Sequence, residues 1–384
     1  MTESYVKEQP LRKTIGFIVN PVAGMGGAVG LKGTDGAAIL EEAIARGAKP
    51  IASQRAEVFL SQLDAVAYQR NLTINLVVSA GEMGETEAQN HRFFFKTIGE
   101  HKKNTSPVDT ECAAKAMVDC HADLLVYCGG DGTARDILRA VETKVPVLGV
   151  PTGVKMHSAL FAVSPQAAAR VAVAYLRGEL PLRESEVMDI NEDAFRQNRL
   201  SAELFGYVLS PFEPHLIQGN KMESPMTQNE VENQAAIAVY IIEKMQPDVL
   251  YILAPGTTTR TIADLLDQKK TLLGVDLMKD KKIVAIDVNE NQILHAIECK
   301  KTQIIVTPIG GQGFIFGRGN QQISARVIGK VGLDNITVVA TKSKLDKLSS
   351  LRVDTGDSEL DAMFRENGIK VVTDYKTVKQ MPVE

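Results

Sequence analysis

Apolar and polar positions alternate along this chain in two periods. Short apolar runs bounded by glycine, proline or polar residues read as buried strands. Longer stretches repeating every three to four residues read as helices. Thr14–Asn20 is the first strand, followed by helical stretches over Ala37–Gly47 and Ser53–Tyr68. Thr73–Ser79 is the next strand, Gly81–Asn90 a polar loop, and Asp109–His121 a helix with Ala113, Ala116, Met117 and Cys120 on one side. Asp123–Tyr127 and Val145–Val150 are further strands, with an amphipathic run from Ala134 to Val141 between them, and Pro165–Arg177 is a helix. Strands alternating with helices predict an α/β fold, with a doubly wound, mostly parallel sheet in the N-terminal part.

Near Gly178 the character changes. Leu182–Ile190 and Leu200–Leu209 are strand-like, and Gln218–Pro225 is polar. A second α/β or α+β run follows: a helix from Glu230 to Met245, strands at Val249–Ala254, Lys282–Asp287, Gln303–Thr307 and Thr337–Thr341, and helices at Thr261–Leu266 and Asn289–Cys299. A helix at Glu359–Glu366 and a strand at Ile369–Thr373 close the chain. The expected division is a first domain over residues 1–178, a second, substrate-binding domain over 179–340, and a C-terminal segment over 341–384 that packs back on the first.

The most informative stretch is Tyr127-Cys-Gly-Gly-Asp-Gly-Thr133, where the strand meets the helix. Glycines here let the backbone bend sharply and let a bulky anion approach. The helix start beyond them supplies unpaired N–H groups and partial positive charge, which suit phosphate. Asp131 is out of place in such a cradle unless it binds a metal or takes a proton from an attacking hydroxyl. A helix cap is the plainer reading, but a cap has no need of three glycines.

Two more polar loops follow predicted strands, and ligands in open α/β sheets sit at the carboxyl ends of strands. The first runs from Pro21 to Gly36; it matches neither the dinucleotide fingerprint, since Val29 replaces the third glycine, nor a P-loop, since Leu31 and Gly33 flank Lys32. The other is Pro151–Ser158, where Lys155 offers a point charge for phosphate and His157 a hydrogen bond to a ribose or phosphate oxygen. Later in the chain Pro255–Arg260 offers a second anion cradle, and Pro308–Gln321 crowds glycines, Arg318 and Asn320 into a loop read as packed against ligand or against the other domain. The acids Glu82, Glu85 and Glu87 read as a solvated face.

Composition narrows the choice of partner. The 384 residues are 44% hydrophobic and 23% charged, with a net charge of −4 and no basic block, so nucleic acid is not expected as a partner. No apolar run approaches a membrane span, and the polar start of the chain lacks a signal-peptide core. The four cysteines fit neither a metal spacing nor a disulfide framework. A cytoplasmic homo-oligomer acting on small molecules is expected.

The motifs resemble those of the ATP-NAD kinase family: Asn20-Pro21 with its glycine loop, Gly129-Gly-Asp-Gly-Thr133, and Val145–Val150 with Thr152-Gly153. The loop from Gly24 to Gly36 and the stretch Val154–Ser158 look most like the branch of predicted polyphosphate- or ATP-dependent NAD kinases that includes the acetoin-catabolism AcoX group. Lipid kinases share the Gly-Gly-Asp-Gly-Thr element. The resemblance implies that Asp131 is the general base and a magnesium ligand, and that NAD, ATP (or polyphosphate) and Mg²⁺ are bound. It implies that Gly129, Gly130, Gly132 and Thr133 hold phosphate, with Asn20, Gly24, Gly26 and Gly27 contributing. Lys32, Thr152, Gly153, Lys155 and His157 complete the expected nucleotide site. Asn191, Glu192 and Asp193 match the family's dinucleotide-contacting pair. The alternatives are a lipid or other small-molecule hydroxyl kinase, and a nucleotide sensor without catalysis.

Overall fold

The computed structural model describes residues 11–27, 29–31, 37–152, 156–190, 202–214, 216–217 and 228–384. They form two compact units, one drawn from 11–24, 50–190 and 202–217, the other from 25–49 and 228–384.

The first unit is built on five strands: β1 Leu11–Val19, β2 Leu72–Ser79, β3 Phe94–Ile98, β4 Leu124–Gly129 and β5 Val147–Pro151. They pair in the order β3-β2-β1-β4-β5, all parallel. This is the doubly wound arrangement expected from the strand–helix alternation. Pleating sends alternate residues of each strand to opposite faces. Leu124, Val126 and Cys128 of β4 therefore meet the helices Ala52–Gln69 and Pro165–Leu176, in a core where Phe17 stacks on Phe59 with ring centroids 5.6 Å apart. Leu125 and Tyr127 face the other way, toward helices Pro107–Asp119 and Asp131–Val141. An antiparallel hairpin, β6 Leu182–Ile190 and β7 Ala202–Pro211, packs on that second face through Val187 and Val208. The first unit thus runs on past Gly178, and the hairpin brings Met188 and Asp189 next to the start of the Asp131 helix.

One strand is added here and one local reading changes. Phe94–Ile98 forms the sheet's edge strand, where neither face is buried, so its sequence carries no burial pattern. Of the three acids read as a solvated face, Glu82 is exposed and Glu85 half-buried, but Glu87 departs from that reading. Glu85 accepts hydrogen bonds from Gly81 N at 2.8 Å and Thr97 Oγ1 at 2.9 Å, which hold its carboxyl below the usual range. Glu87 is buried, and that burial pushes its carboxyl up.

Among its described residues the second unit has nine strands: β8 Leu250–Leu253, β9 Asp276–Lys279, β10 Lys282–Ala285, β11 Thr302–Val306, β12 Phe314–Phe316, β13 Ile336–Val339, β14 Arg352–Val353, β15 Ile369–Asp374 and β16 Thr377–Met381. Seven of them form a mixed sheet in the order β10-β9-β8-β11-β13-β15-β16, parallel through the middle and antiparallel at both edges. The C-terminal segment was expected to return to the first unit, yet β15 pairs with β13 and completes the second sheet. Its apolar residues Val371 and Met381 join that unit's own core. The glycine-rich loop from Pro308 to Gln321 likewise stays within its unit. Phe314–Phe316 pairs with β14, and Arg318 lies against the Phe314 ring at 4.7 Å and 3.6 Å from the Asp354 carboxylate. Gly317 has φ +84°, and a Cβ there would stand 1.8 Å from the Asp354 carbonyl oxygen. Gly317→Ala is expected to cost the second unit about 2–4 kcal/mol, seen in calorimetry as an earlier transition.

Candidate active site

Three strand ends meet at one edge of the first sheet. Val19 of β1 pairs with Cys128 of β4, and Gly129 pairs with Pro151 of β5, so Asn20, Gly130 and Thr152 follow at the same level. The loops they begin are tied together. Asn20 N donates to Cys128 O at 2.9 Å, and Thr152 N to Gly129 O at 3.3 Å. The Asn20 side chain spans both sides of its own turn: Nδ2 donates to Thr133 Oγ1 at 2.9 Å, and Oδ1 accepts from Val22 N at 3.3 Å.

Each glycine does a different job. A Cβ on Gly129 would stand 2.6 Å from the Thr133 side chain, so the turn closes only with hydrogen there. Gly24 has φ +80°, and a Cβ on it would reach 2.0 Å from the Thr152 carbonyl oxygen. At Gly130 a Cβ would meet no protein atom within 4 Å. Packing therefore requires glycine at 24 and 129 but not at 130. Gly130 is the N-cap of the helix Asp131–Val141, so bare backbone with room in front stands where N–H groups are unpaired.

Asp131 opens that helix but does not cap it. Its carboxylate crosses to the loop after β5. Oδ2 accepts from His157 N at 2.6 Å, and Oδ1 accepts from Ser158 N at 3.0 Å and from Ser158 Oγ at 2.6 Å. The Ser158 hydroxyl in turn accepts from Met188 N at 3.0 Å. Asp131 is only 5% exposed. Burial raises its pKa from 3.8 to about 6, the three hydrogen bonds pull the other way, and the Asp189 carboxylate adds a smaller upward push. Asp189 is itself held by Arg135 Nη1 at 2.7 Å. Tyr127 is wholly buried on the other face, and burial pushes its phenol well up, so it stays protonated. Thr152 is 3% exposed, and its Oγ1 has no hydrogen-bond partner among the described residues. A buried hydroxyl without a partner is costly unless something else completes it. Here that points to a polar ligand at the end of β5.

The ATP-NAD kinase N-terminal domain matches residues 15–180, and the ATP-NAD kinase C-terminal domain matches residues 248–383. The chain belongs to the ATP-NAD kinase family. It is therefore a phosphotransferase, and phosphorylation of NAD to NADP is that family's reaction. No curated protein matches the sequence at a significant level.

Of the residues singled out from the kinase motifs, the fold brings Asn20, Gly24, Gly129, Gly130, Asp131, Gly132, Thr133, Thr152 and His157 to one edge. His157 meets Asp131 through its backbone rather than its ring. Gly26 and Gly27 lie in the 25–49 stretch of the second unit, where their carbonyls accept from Leu31 N and Gly30 N. Lys32, Gly153, Lys155, Asn191, Glu192 and Asp193 lie outside the described residues. Ser158, Met188 and the Arg135–Asp189 pair were not singled out from the sequence as site residues. Arg135 carried a signal, standing one turn after Asp131 on the same helix face. Ser158 and Met188 carried none, since their roles depend on contacts between distant segments.

Asp131 was the carboxylate expected to hold a magnesium ion. Among the described residues no group of three or more His, Cys, Asp or Glu side chains could hold an ion. Both Asp131 oxygens already accept hydrogen bonds. No helix among the described residues is long and apolar enough to cross a membrane. In the second unit, Pro255–Arg260 is engaged internally: Thr259 Oγ1 donates to Ala254 O at 2.7 Å, and Arg260 Nε lies 3.6 Å from the Asp264 carboxylate.

Proposed function

We propose that the chain transfers the γ-phosphoryl group of ATP to the adenosine ribose 2′-hydroxyl of NAD, with Asp131 as the general base. The observation that carries this is the Asp131 carboxylate, buried beside the glycine turn and raised to about 6. A base poised near the working pH is ionised often enough to act and basic enough to draw a proton. Among the described residues Oδ2 accepts one hydrogen bond, from His157 N, and keeps a lone pair for the substrate hydroxyl. The proton passes to Asp131 as the 2′-oxygen bonds to phosphorus, and the bond from phosphorus to the bridging oxygen breaks to release ADP.

Binding falls to the backbone. Gly129, Gly130, Gly132 and the helix start present N–H groups to the phosphates, Thr152 Oγ1 completes the set, and Asn20 locks Thr133 so that the turn keeps its shape. Gly24, Gly26, Gly27, Lys32, Gly153, Lys155 and His157 are assigned to the donor nucleotide's surroundings, and Asn191, Glu192 and Asp193 to the dinucleotide. A magnesium ion bound with the nucleotide would spread the charge on the phosphates, and Asp131 is the carboxylate that would hold it together with phosphate oxygens.

The test is direct. Purified protein given ATP, Mg²⁺ and NAD is expected to form NADP, identified by mass and by reduction with an NADP-specific dehydrogenase. Polyphosphate is to be tried as the donor beside ATP. A phosphorylated product other than NADP would assign a different acceptor to the same chemistry, and no product from either donor would remove the kinase reading for NAD.

A further inference from the structure

A cavity of about 370 Å³ lies in the second unit, at the edge where β8, β11 and β13 begin. This is the edge opposite to the one where parallel-sheet proteins usually hold ligands. Val249, Ile297 and Val331, all buried, supply its apolar lining, and Lys300, Lys301 and Lys330 supply exposed charge. No acidic side chain lines it. None of the three lysines forms an ion pair among the described residues. The acids nearest to them in sequence are Glu298, 3.8 Å from His295, and Asp334, beside the lining residue Asn335.

A plain account of these lysines exists. The helices Gln228–Lys244, Glu290–Ala296 and Ala325–Val331 end near this edge, and cations offset the partial negative charge of helix ends. That account falls short in size. Each helix end carries at most about half a negative charge, so three of them offset roughly half of three full positive charges. The remainder faces a concave opening, which concentrates potential rather than letting it spread. The volume is within the range of small-molecule sites, roughly 300–1,000 Å³.

We infer that this cavity binds a compact polyanion, a small molecule carrying two or three phosphate groups, at a site separate from the phosphate turn of the first unit. The lysines take the phosphates as point charges. Such a site would let a phosphorylated metabolite bind without entering the first unit's site.

Inorganic tripolyphosphate is the probe, and residue-resolved lysine acetylation of the full chain, read by mass spectrometry, is the measurement. Acetylation of Lys300, Lys301 and Lys330 is expected to slow roughly tenfold when the probe stands at ten times its Kd. Exposed Lys103 and Lys347 should be unaffected, as should all five lysines in sulfate of equal ionic strength. Asp131→Asn should leave the protection in place, which separates this site from the first unit's phosphate turn. In the Lys300→Glu/Lys330→Glu chain, protection of Lys301 should disappear. Absent protection, equal slowing at Lys103, equal protection by sulfate, or protection of Lys301 that survives the double substitution would each overturn the inference.

Discussion

Asp131→Asn is expected to lower kcat about 10²- to 10⁴-fold while KM for ATP and NAD changes little, because the amide keeps the shape but cannot take the proton. The pH profile separates this from a structural role. In the wild type, kcat/KM should fall as pH drops through about 6, where the carboxylate becomes protonated. In Asp131→Asn the small residual rate should lose that limb. An acid limb near 6 that survives the substitution would assign the proton to another group.

Stability provides the control. The folded-state pKa of Asp131 lies above its ordinary 3.8, at about 6, so the folded protein holds a proton that the unfolded chain has already lost. Its contribution to stability is therefore full below about 4 and is lost as pH rises through about 6. The gap corresponds to roughly 3 kcal/mol of strain at neutral pH, which asparagine would relieve. Asparagine also brings one acceptor oxygen where the carboxylate had two, stranding at least one of the N–H donors of His157 and Ser158 at a cost of about 1–3 kcal/mol. The two effects oppose each other and are similar in size. Tm at pH 8 should thus move by only a few degrees, within about 4 °C, and a large fall in kcat can be read as lost chemistry.

The second prediction is a contrast between two glycines. Gly24→Ala places a Cβ at φ +80° and 2.0 Å from the Thr152 carbonyl oxygen. The positive φ alone costs about 1–2 kcal/mol, and the collision forces the loop away from the end of β5. Both Tm and kcat/KM should fall, the latter about 10²-fold, the usual effect of an ångström-scale displacement in a positioned site. Gly130→Ala meets no protein atom within 4 Å, and its φ of −113° suits any residue. The cost in stability should be no more than about 1 kcal/mol, the loss of a favoured N-cap residue. If phosphate lies against that backbone, kcat/KM should still fall by tenfold or more. Full activity in Gly130→Ala would place the phosphate elsewhere, however Gly24→Ala behaved.

The glycine turn and its acid could be read from the chain because both are local. The apolar run Leu124–Cys128, the glycines at 129, 130 and 132, and the helical run after them lie within one short window. Backbone preference and burial period are properties of such windows. The same holds for Asn20 and Thr152, each placed at a strand end by the apolar run before it.

What Asp131 does could not be read that way. Its partners are His157 and Ser158, separated from it by the rest of its own helix and by β5, and its raised pKa comes from burial that only packing creates. Helical, turn and buried-strand tendencies of single segments were thus set by the order of residues alone. Tertiary structure decided that Phe94–Ile98 joins a sheet as its edge, that Glu87 is buried, and that the last strands complete the second sheet. The reason is that strand order, register and desolvation are energies between segments far apart in sequence, and no single segment contains both partners.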